Sequence, residues 1–390
     1  MVSNAELVEL TSKYLMPNYG RLPVAIVRGQ GARVWDADGA EYIDFFPGFG
    51  AGGVVGHCHP DVVDALRDQA DRLLCAGNLF TNVPQVALAR AIAEKGFGGM
   101  VFYCHSGAEA NEAALKLARL AGGAERYKII SFHHCFHGRT MGALSLTPEK
   151  FQKGFEPMLP GNVKVDYGDL DAVAAAVDGQ TAAVIVEPIQ GEGGVNVPDA
   201  GFMQGLRKLC DDRGVLLICD EVWTAPARTG RWFAHQHYDI DPDIMTLGKA
   251  TGGGAPIAAC VARGELGAGM VPGTHGCTLG GNPLCAAAGA AVMKLIEDQD
   301  LLAAALQKGA AVVDSVRRAG IGKVKAVRGK GMMIGIELDV PGKEVFQACL
   351  RRGLIINCTQ ETVLRLAAPL VISDSDLSEG LDILLDVLRQ

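Results

Sequence analysis

The sequence contains no run of apolar residues long enough to span a membrane. Its first residues lack a basic segment followed by an apolar stretch, which is the pattern of a secretory signal peptide. There is also no long run of basic or acidic residues, and the net charge of −8 gives no reason to expect a nucleic-acid or membrane partner. These absences favour a cytoplasmic protein and leave small polar substrates open.

Cysteine does not occur in the patterns that would give it a structural role. The 11 cysteines are scattered singly and none forms a Cys-x-x-Cys pair, which argues against a disulfide framework and favours a reducing compartment. Two histidine-rich segments, residues 57–59 and 133–137, are not matched by a second Cys or His pair at zinc-finger spacing. We therefore predict no metal site.

Apolar runs of strand length alternate with amphipathic helical segments through the middle of the chain. The predicted strands cover residues 99–104, 128–132, 182–187 and 215–220, and residues 108–120 have the composition of a helix. This alternation predicts an α/β fold with a mostly parallel central sheet and helices on both faces. Since ligands collect at the carboxyl ends of such strands, the polar residues that follow them should form a site.

The last part of the chain has a different pattern, which begins at about residue 323. We predict that it forms a smaller α+β domain, because a chain of 390 residues with 49% hydrophobic content can bury more than one core. Its predicted strands cover residues 324–327, 332–338, 354–357 and 363–366, and its predicted helices cover residues 345–352 and begin again at residue 375.

The most informative residue is Lys249, which lies in a glycine-rich segment, residues 248–254, downstream of Asp220 at the end of an apolar run. A lysine that can form a Schiff base, together with a carboxylate able to contact a pyridinium nitrogen, is what pyridoxal phosphate chemistry requires. Taken alone, a lysine in a glycine-rich loop is more often a solvated surface cation. Four other segments decide between these two interpretations.

Those four segments contain residue types suited to holding such a cofactor. At a strand-to-helix turn, Ser106 precedes backbone N–H groups that would bind phosphate, although Ser106 and Glu109 also fit an ordinary capping box. Residues 136–140 offer an aromatic face and a guanidinium, and residues 187–194 offer two acids among glycines. Residues 274–283 are rich in glycine and suit a loop laid against phosphate. Each segment by itself also fits a surface loop or a tight turn.

In their order and spacing, these segments resemble those of the class III pyridoxal-phosphate aminotransferases, and most closely the acetylornithine and ornithine aminotransferase group. The resemblance covers residues 16–373 and rests on residues 106–111, 136–140, 187–194, 220–222, Lys249 and 280–283. It implies a fold-type I architecture, a pyridoxal 5′-phosphate cofactor and a homodimer with shared active sites. It also implies a large cofactor domain at residues 51–320 and a smaller domain built from residues 1–50 and 321–390.

The resemblance implies a role for each matching residue. Lys249 would be the Schiff-base lysine and the proton carrier, and Asp220 would keep the pyridine nitrogen protonated so that the ring can accept electrons. Val222 and Phe136 would sandwich the ring, and Thr278 would reach the phosphate of the other subunit. The full set of implied cofactor contacts is Ser106, Gly107, Ala108, Phe136, His137, Glu187, Asp220, Val222, Lys249 and Thr278.

Substrate recognition in the similar enzymes uses two arginines, which match Arg139 and Arg365 here. Arg365 would bind the α-carboxylate of glutamate, and Glu192 would pair with this arginine when the ω-amino substrate is bound. Such a switch cancels a buried charge that would otherwise be costly. Taken without the motif, Arg365 also fits a structural ion pair.

The chain departs from the family pattern at several positions near these motifs. Trp223 stands where a glutamine is usual, so a side-chain amide that often bonds the ring oxygen of the cofactor is absent. Ala225 and Ala227 replace loop glycines, His105 stands where asparagine is usual, and residues 50–57 lack the asparagine that acetylornithine enzymes place by the substrate. These departures predict a pocket that admits a larger or different ω-amine.

The resemblance predicts a transaminase that moves the ω-amino group of N-acetylornithine, or a close analogue, to 2-oxoglutarate, giving a semialdehyde and L-glutamate, as in arginine biosynthesis. The alternative donors within the family are ornithine, succinylornithine, acylated lysine and 4-aminobutyrate. An aminomutase of the glutamate-semialdehyde kind is disfavoured, because a switch made by Arg365 and Glu192 is useful mainly when glutamate must also bind. A non-catalytic relative is disfavoured by the retained Lys249 and Asp220.

Overall fold

The computed structural model describes residues 2–50 and 53–390 of the chain. Met1, Ala51 and Gly52 lie outside these ranges. The predicted domain boundary between residues 50 and 51, and part of the segment 50–57, fall there and stay predictions.

Strands and helices alternate along the described part of the chain. The strands are β1 (Ile26–Gln30), β2 (Arg33–Asp36), β3 (Glu41–Asp44), β4 (Met100–Cys104), β5 (Lys128–Phe132), β6 (Asn162–Val165), β7 (Thr181–Val186), β8 (Leu216–Asp220), β9 (Ile244–Leu247), β10 (Ala258–Ala262), β11 (Val324–Lys330), β12 (Met333–Leu338), β13 (Leu354–Ile355), β14 (Asn357–Thr359) and β15 (Val363–Leu366). The α-helices are α1 (Asn4–Tyr14), α2 (Pro60–Arg72), α3 (Val83–Lys95), α4 (Gly107–Gly122), α5 (Met141–Leu146), α6 (Leu170–Ala176), α7 (Ala200–Arg213), α8 (Gly264–Ala268), α9 (Pro283–Asp298), α10 (Leu301–Arg318), α11 (Lys343–Arg351) and α12 (Asp374–Arg389). Among the described residues, no helix combines the length and the apolar character needed to cross a membrane.

A seven-stranded sheet in the order β4-β10-β9-β8-β7-β5-β6 forms the centre of the molecule. β10 runs antiparallel to β4 and β9, and the other neighbouring pairs of this sheet are parallel. Along β7 and β8 successive side chains point to opposite faces, so Ile185 and Ile218 pack in a buried cluster with α4, whereas Val184 and Leu217 pack with α7. The predicted α/β class, with helices on both faces of a mostly parallel sheet, is confirmed.

The strands and the helix predicted in this region are present with small shifts at their ends. The structure starts the first strand at Met100, moves the third to Thr181–Val186, and starts the fourth at Leu216. The predicted helix begins one residue earlier, at Gly107, because Ser106 and not Gly107 is its N-cap. These strands therefore bring their carboxyl ends to one edge of the sheet, as the sequence indicated.

Two smaller sheets lie outside the central one, in the orders β1-β2-β3-β13 and β11-β12-β15-β14. The single strand predicted at residues 354–357 is wrong, because it is two short strands that belong to different sheets. Leu354 pairs in parallel with Ile43 of β3, whereas Asn357 pairs antiparallel with Arg365 of β15, and the buried Ile356 separates them. A continuous apolar run gives no sign of such a change of partner. The pairing of β3 with β13 links the N-terminal strands to the C-terminal part of the chain.

A large buried cluster joins the C-terminal sheet to the helices beside it. It contains Ile334 of β12, Leu364 of β15, Leu384 of α12 and Val292 of α9. Full burial of each such side chain stabilises the fold by about 1.5–3 kcal/mol. The C-terminal sheet is therefore held against α9, next to the central sheet, by an extended apolar contact.

Candidate active site

The carboxyl ends of β8 and β9 bring a hydrogen-bonded group of buried polar side chains together. Asp220 is the last residue of β8, and its Oδ2 accepts the His137 ring N–H at 2.7 Å and the Asn111 side-chain N–H at 2.8 Å. Asn111 Oδ1 in turn accepts the hydroxyl of Thr246, on the neighbouring strand, at 2.8 Å. The network fixes the Asp220 carboxylate at the edge of the sheet where ligands of α/β proteins bind.

The Asp220 carboxyl is held in its ionised form. Burial alone would raise its pKa, but the hydrogen bond and charge of His137, with the hydrogen bonds from Asn111 and Val222, keep that pKa below its ordinary value. Burial likewise disfavours the charged form of His137, yet Cys135 and Asp220 hold the His137 pKa well above its ordinary value. Asp220 Oδ1 accepts the Val222 backbone N–H at 3.0 Å and, as a carboxylate oxygen, has a lone pair left for a further donor.

Lys249 follows β9 and begins a short 3₁₀ helix. Its φ of 42° lies in the left-handed region, which costs a non-glycine residue about 1–3 kcal/mol and is typical of functional sites. The half-buried side chain puts its ammonium 5.7 Å from the centre of the Trp223 ring. Burial lowers the pKa of Lys249 to about 8, although the carboxylates of Glu192 and Asp220 act in the opposite direction. At neutral pH this amine is therefore much closer to its nucleophilic form than a surface lysine is.

A tightly packed turn precedes α4. Ser106 caps the helix, because the Glu109 backbone N–H donates to Ser106 Oγ at 3.3 Å and the Ser106 backbone N–H donates to Glu109 Oε2 at 2.8 Å. A Cβ atom added at Gly107 would lie 2.5 Å from a methyl carbon of Val222, so glycine is required there. The backbone N–H groups of Gly107 and Ala108 have no acceptor within the helix, and with the helix dipole they suit a phosphate. The capping box and the phosphate cradle considered above are thus compatible.

Glu187 comes directly after β7 and joins two loops at the edge of the sheet. Its carboxylate accepts the backbone N–H of Phe136 at 3.0 Å and that of Gly191 at 3.2 Å. Burial raises the pKa of Glu187 to about 7, although the charge of His137 opposes the rise. Glu187 thereby holds the half-buried Phe136 beside the pair formed by His137 and Asp220.

Arg365 and Glu192 form a two-pronged ion pair across the site. Arg365 Nη1 donates to Glu192 Oε1 at 3.0 Å and Nη2 donates to Oε2 at 3.2 Å. The guanidinium also donates to Asn357 Oδ1 at 2.7 and 2.9 Å, and it lies 4.9 Å from the ring centre of Phe46. Arg365 is only 2% exposed, whereas the Glu192 side chain is 34% exposed. The arginine is therefore fixed and its carboxylate partner is the more accessible of the two.

Arg139 and Thr278 lie at the margins of this group. Arg139 is exposed, and its guanidinium stacks 4.2 Å from the ring centre of Phe151 and 5.3 Å from that of Phe136. Thr278 is exposed on the loop that leads into α9, next to Cys277. Their predicted roles toward substrate and toward a second subunit stay predictions.

The Trp223 ring lies near both the lysine and the arginine. Its indole N–H donates to the Phe49 carbonyl at 3.0 Å, and its ring centre lies 5.4 Å from the Arg365 guanidinium. A Cβ atom added at Gly191 would lie 3.2–3.4 Å from the indole, so the ring is closely packed. Trp223 thus packs close to both Lys249 and the Arg365 ion pair.

Sequence reasoning missed three polar or aromatic members of this group. Asn111 lies four residues after Gly107, on the same face of α4, so helical spacing gave a signal that it points to the same site. Asn357 and Phe46 gave no such signal, because they reach Arg365 through strand pairing and packing between segments far apart in sequence.

Residues 14–388 match the family described as aminotransferase class-III. The chain is a class III aminotransferase. This aminotransferase is 44% identical over 392 residues to the acetylornithine aminotransferase of Caldanaerobacter subterraneus, covering 98% of the chain and 99% of that protein. It is 47% identical over 387 residues to the acetylornithine aminotransferase of Methanopyrus kandleri, covering 98% of each.

Solved structures of related enzymes have the same fold. The ornithine aminotransferase from Toxoplasma gondii superposes with a TM-score of 0.95 at 36% identity, covering 100% of this chain and 95% of that one. The acetylornithine aminotransferase from Elizabethkingia anophelis superposes with a TM-score of 0.88 at 32% identity, covering 100% and 99%. The class III aminotransferase therefore has a fold-type I architecture and depends on pyridoxal 5′-phosphate.

The residues of this aminotransferase fit that cofactor. Lys249 supplies an amine with a pKa of about 8, and Asp220 supplies an ionised carboxylate with a free lone pair. The turn at Gly107 supplies backbone N–H groups for a phosphate, in a space that a Cβ atom would close. The cofactor has an aldehyde that needs an amine, a ring nitrogen that needs a carboxylate, and a phosphate that needs an anion site, and these residues supply all three.

Proposed function

We propose that this aminotransferase moves the ω-amino group of N-acetylornithine, or a close analogue, to 2-oxoglutarate, giving a semialdehyde and L-glutamate. The observation that carries the proposal is the two-pronged ion pair of Arg365 with the more exposed Glu192. Further support comes from relatives named acetylornithine aminotransferase that are 44% and 47% identical over almost the whole chain.

We propose that the residues at the sheet edge divide the work around the cofactor. Bound pyridoxal phosphate supplies an aldehyde that accepts the amino group and a ring that withdraws electrons from the reacting carbon. Lys249 holds the cofactor through its amine and carries the proton that moves during transfer. Asp220, kept ionised by His137, holds a proton on the ring nitrogen. The other proposed contacts are Ser106, Gly107, Ala108, Phe136, Glu187 and Val222, with Thr278 acting toward the second subunit.

The Arg365 ion pair explains how one pocket would serve two substrates of different charge. When 2-oxoglutarate or glutamate binds, Glu192 moves aside and Arg365 holds the α-carboxylate with two hydrogen bonds. When the ω-amino substrate binds, its apolar chain lies there, and Glu192 neutralises the buried guanidinium. Arg139 is proposed to hold the other carboxylate in each case. Without Glu192, binding the apolar substrate chain would leave the buried Arg365 guanidinium unpaired, which is energetically costly.

The half-reactions of the purified enzyme loaded with pyridoxal phosphate test this function. We expect N-acetylornithine alone to replace the absorbance of the lysine-bound cofactor by that of pyridoxamine phosphate, and 2-oxoglutarate to reverse the change. An enzyme that responds to glutamate but not to N-acetylornithine keeps the transaminase reaction and rejects this donor. Ornithine, succinylornithine, acylated lysine and 4-aminobutyrate are then the donors to compare. Product formation without any keto acid would instead favour an aminomutase.

Replacing Glu192 by glutamine should separate the two half-reactions. An uncompensated buried charge costs about 3–5 kcal/mol, and even a third of that cost slows a reaction about tenfold. We therefore expect kcat/KM for the ω-amino donor to fall at least about tenfold, with kcat/KM for glutamate nearly unchanged, as measured in single half-reactions. Glu41→Gln is the matched control, because Glu41 pairs with Arg33 on the protein surface. Equal losses in both half-reactions would contradict the switch.

Replacing Trp223 by glutamine, the residue usual in the family, should change donor selectivity. The centre of the indole ring lies 5.7 Å from the Lys249 ammonium and 5.4 Å from the Arg365 guanidinium, so a smaller side chain enlarges the space beside both groups and frees the Phe49 carbonyl. We expect the ratio of kcat/KM values for a bulky and a small ω-amine to shift by about tenfold, the size of a one- or two-methylene change in a pocket. Unchanged rates for every donor would show that Trp223 has no part in selection.

We further propose a homodimer whose subunits share their active sites. Leu79, Phe80 and Val83 are 95%, 70% and 83% exposed, and a cluster of large exposed apolar side chains is typical of a protein interface. Next to them, Asn78 donates to the Cys277 carbonyl at 2.9 Å, so this apolar surface borders the loop that carries Thr278. We expect sedimentation to give twice the mass of the chain, and a mass of one chain would reject the shared site.

We also propose a cytoplasmic location and a role in arginine biosynthesis. The proposed domain boundaries lie near residues 50 and 320. The cysteines are free in the structure, which suits a reducing compartment. The pairing of β3 with β13 supports a small domain built from both ends of the chain. A deletion strain that grows without added arginine would count against the pathway, and cell fractionation tests the location.

A further inference from the structure

Three side chains with metal-binding atoms meet beside the turn that precedes α4. His105 Nδ1 lies 3.4 Å from Glu109 Oε1 and 3.3 Å from Cys277 Sγ. One ligand atom from each of the three residues lies within 4.8 Å of the other two. The residues come from the strand-to-helix turn, the first turn of α4 and the loop that leads into α9. The fold therefore brings the sulfur of Cys277 to a nitrogen and an oxygen donor that lie four residues apart, at the start of α4.

The surroundings hold two of these donors in place. Glu109 Oε2 accepts the Ser106 backbone N–H at 2.8 Å, the Ser106 hydroxyl at 2.9 Å and the His105 backbone N–H at 3.1 Å. Glu109 Oε1 is the oxygen turned toward the imidazole. The Cys277 backbone is fixed by the Asn78 side chain, which donates to its carbonyl at 2.9 Å. Orientation of the ligands by neighbouring hydrogen bonds is a general property of protein metal sites.

We propose that His105, Glu109 and Cys277 bind a Zn²⁺ ion, with the fourth position open to water. Zinc accepts sulfur, imidazole nitrogen and carboxylate oxygen in one tetrahedral site, whereas magnesium and calcium prefer oxygen alone. With Zn–S bonds of about 2.3 Å and Zn–N or Zn–O bonds of about 2.0–2.2 Å, neighbouring ligand atoms lie about 3.4–3.6 Å apart. The separations of 3.3 and 3.4 Å already present are close to that geometry.

In a single chain the three side chains are accessible to solvent, and the loop that carries Cys277 is the one proposed to face a second subunit. The side chains of His105 and Glu109 are 34% and 39% exposed, and Cys277 is partly exposed, so an ion has a path to all three. No metal site was predicted because residues 57–59 and 133–137 lack a matching Cys or His pair at zinc-finger spacing, whereas His105 and Cys277 are 172 residues apart and meet only in the fold. An ion here would tie the Thr278 loop to the turn at Ser106.

Metal binding to the holoenzyme loaded with pyridoxal phosphate tests the proposal. Equilibrium dialysis against Zn²⁺, followed by elemental analysis, should give about one ion per chain held by these residues. Replacement of zinc by Co²⁺ should give the visible absorption bands of a tetrahedral site with a thiolate ligand. Loss of outer partners of a metal site weakens binding about 10–100-fold, so we expect Cys277→Ser and His105→Asn each to weaken it about 100-fold or more.

Two exposed cysteines provide matched controls. Cys75→Ser should leave zinc affinity and the cobalt spectrum unchanged, and so should Cys58→Ser, although Cys58 lies between two histidines. Circular dichroism checks that each variant is folded. If Cys277→Ser does not fold, His105→Asn still tests the proposal. The proposal is overturned if the holoenzyme retains no zinc, if both site variants retain it, or if Cys58→Ser abolishes it.

Discussion

Replacing Lys249 by alanine is expected to lower turnover at least about 10⁴-fold, because the proposed covalent attachment of the cofactor and the proposed proton transfer both depend on this amine. The measurement is the overall transamination rate, together with the visible absorbance of the lysine-bound cofactor, which should be lost. Lys308→Ala is the matched control, since Lys308 is a partly buried lysine that donates to the Leu370 carbonyl at 2.8 Å. That variant should keep its absorbance and turnover per folded molecule.

The same lysine should make the rate of pyridoxal phosphate capture rise with pH. Burial lowers the pKa of Lys249 from its ordinary value of 10.5 to about 8. Below pH 8 the amine is mostly protonated and cannot attack an aldehyde, so capture of pyridoxal phosphate by the cofactor-free protein should speed up as the pH rises through about 8. A capture rate that rises only near the pKa of an exposed lysine would contradict the burial of this amine. Normal turnover in Lys249→Ala would reject the assigned role itself.

Replacing Asp220 by asparagine is expected to lower kcat/KM about 10²–10³-fold, the usual effect of removing one fixed electrostatic contact in an active site. Asparagine retains the size of the side chain, but it removes the negative charge that faces His137 and that is proposed to face the ring nitrogen of the cofactor. The measurement is the rate of each half-reaction, and both should fall because both use the same ring.

Asp243→Asn separates loss of chemistry from loss of stability. Asp243 is also buried, and it pairs with Arg207 at 2.8 Å, but it lies just before β9, at the other end of the strand from Lys249. Breaking this pair should lower the melting temperature and leave turnover per folded molecule near that of the unchanged enzyme. If the two variants lose activity equally, Asp220 acts only through the stability of the protein.

The central sheet and the cofactor side of the site could be predicted from the sequence because their signals are local. Each predicted strand is a short apolar run, and a polar residue such as Asp220 follows it directly. Ser106 and Glu109 lie at capping-box spacing, which fixes where α4 begins. Local patterns of this kind depend on backbone geometry within a few residues, so they can be recognised without the fold.

The substrate side could not be predicted to the same extent, because its contacts join distant segments. The family motif pointed to Arg365, but nothing in the sequence indicated that Asn357 fixes its guanidinium or that Phe46 packs on it. The division of one apolar run into β13 and β14 depends on which sheet each half can pair with. The meeting of His105 with Cys277 likewise depends on the tertiary fold.

During synthesis, Arg365 leaves the ribosome only after the whole central sheet has been made. Lys249, Asp220 and α4 come from earlier parts of the chain, and earlier parts of a nascent chain generally fold first. β13, the parallel partner of β3, is also synthesised late, so the N-terminal strands can complete their sheet only after it is made. A growing chain therefore acquires the residues proposed to hold the cofactor before it acquires the arginine proposed to select the substrate, so discrimination between amino donors depends on the last part of the chain to be made.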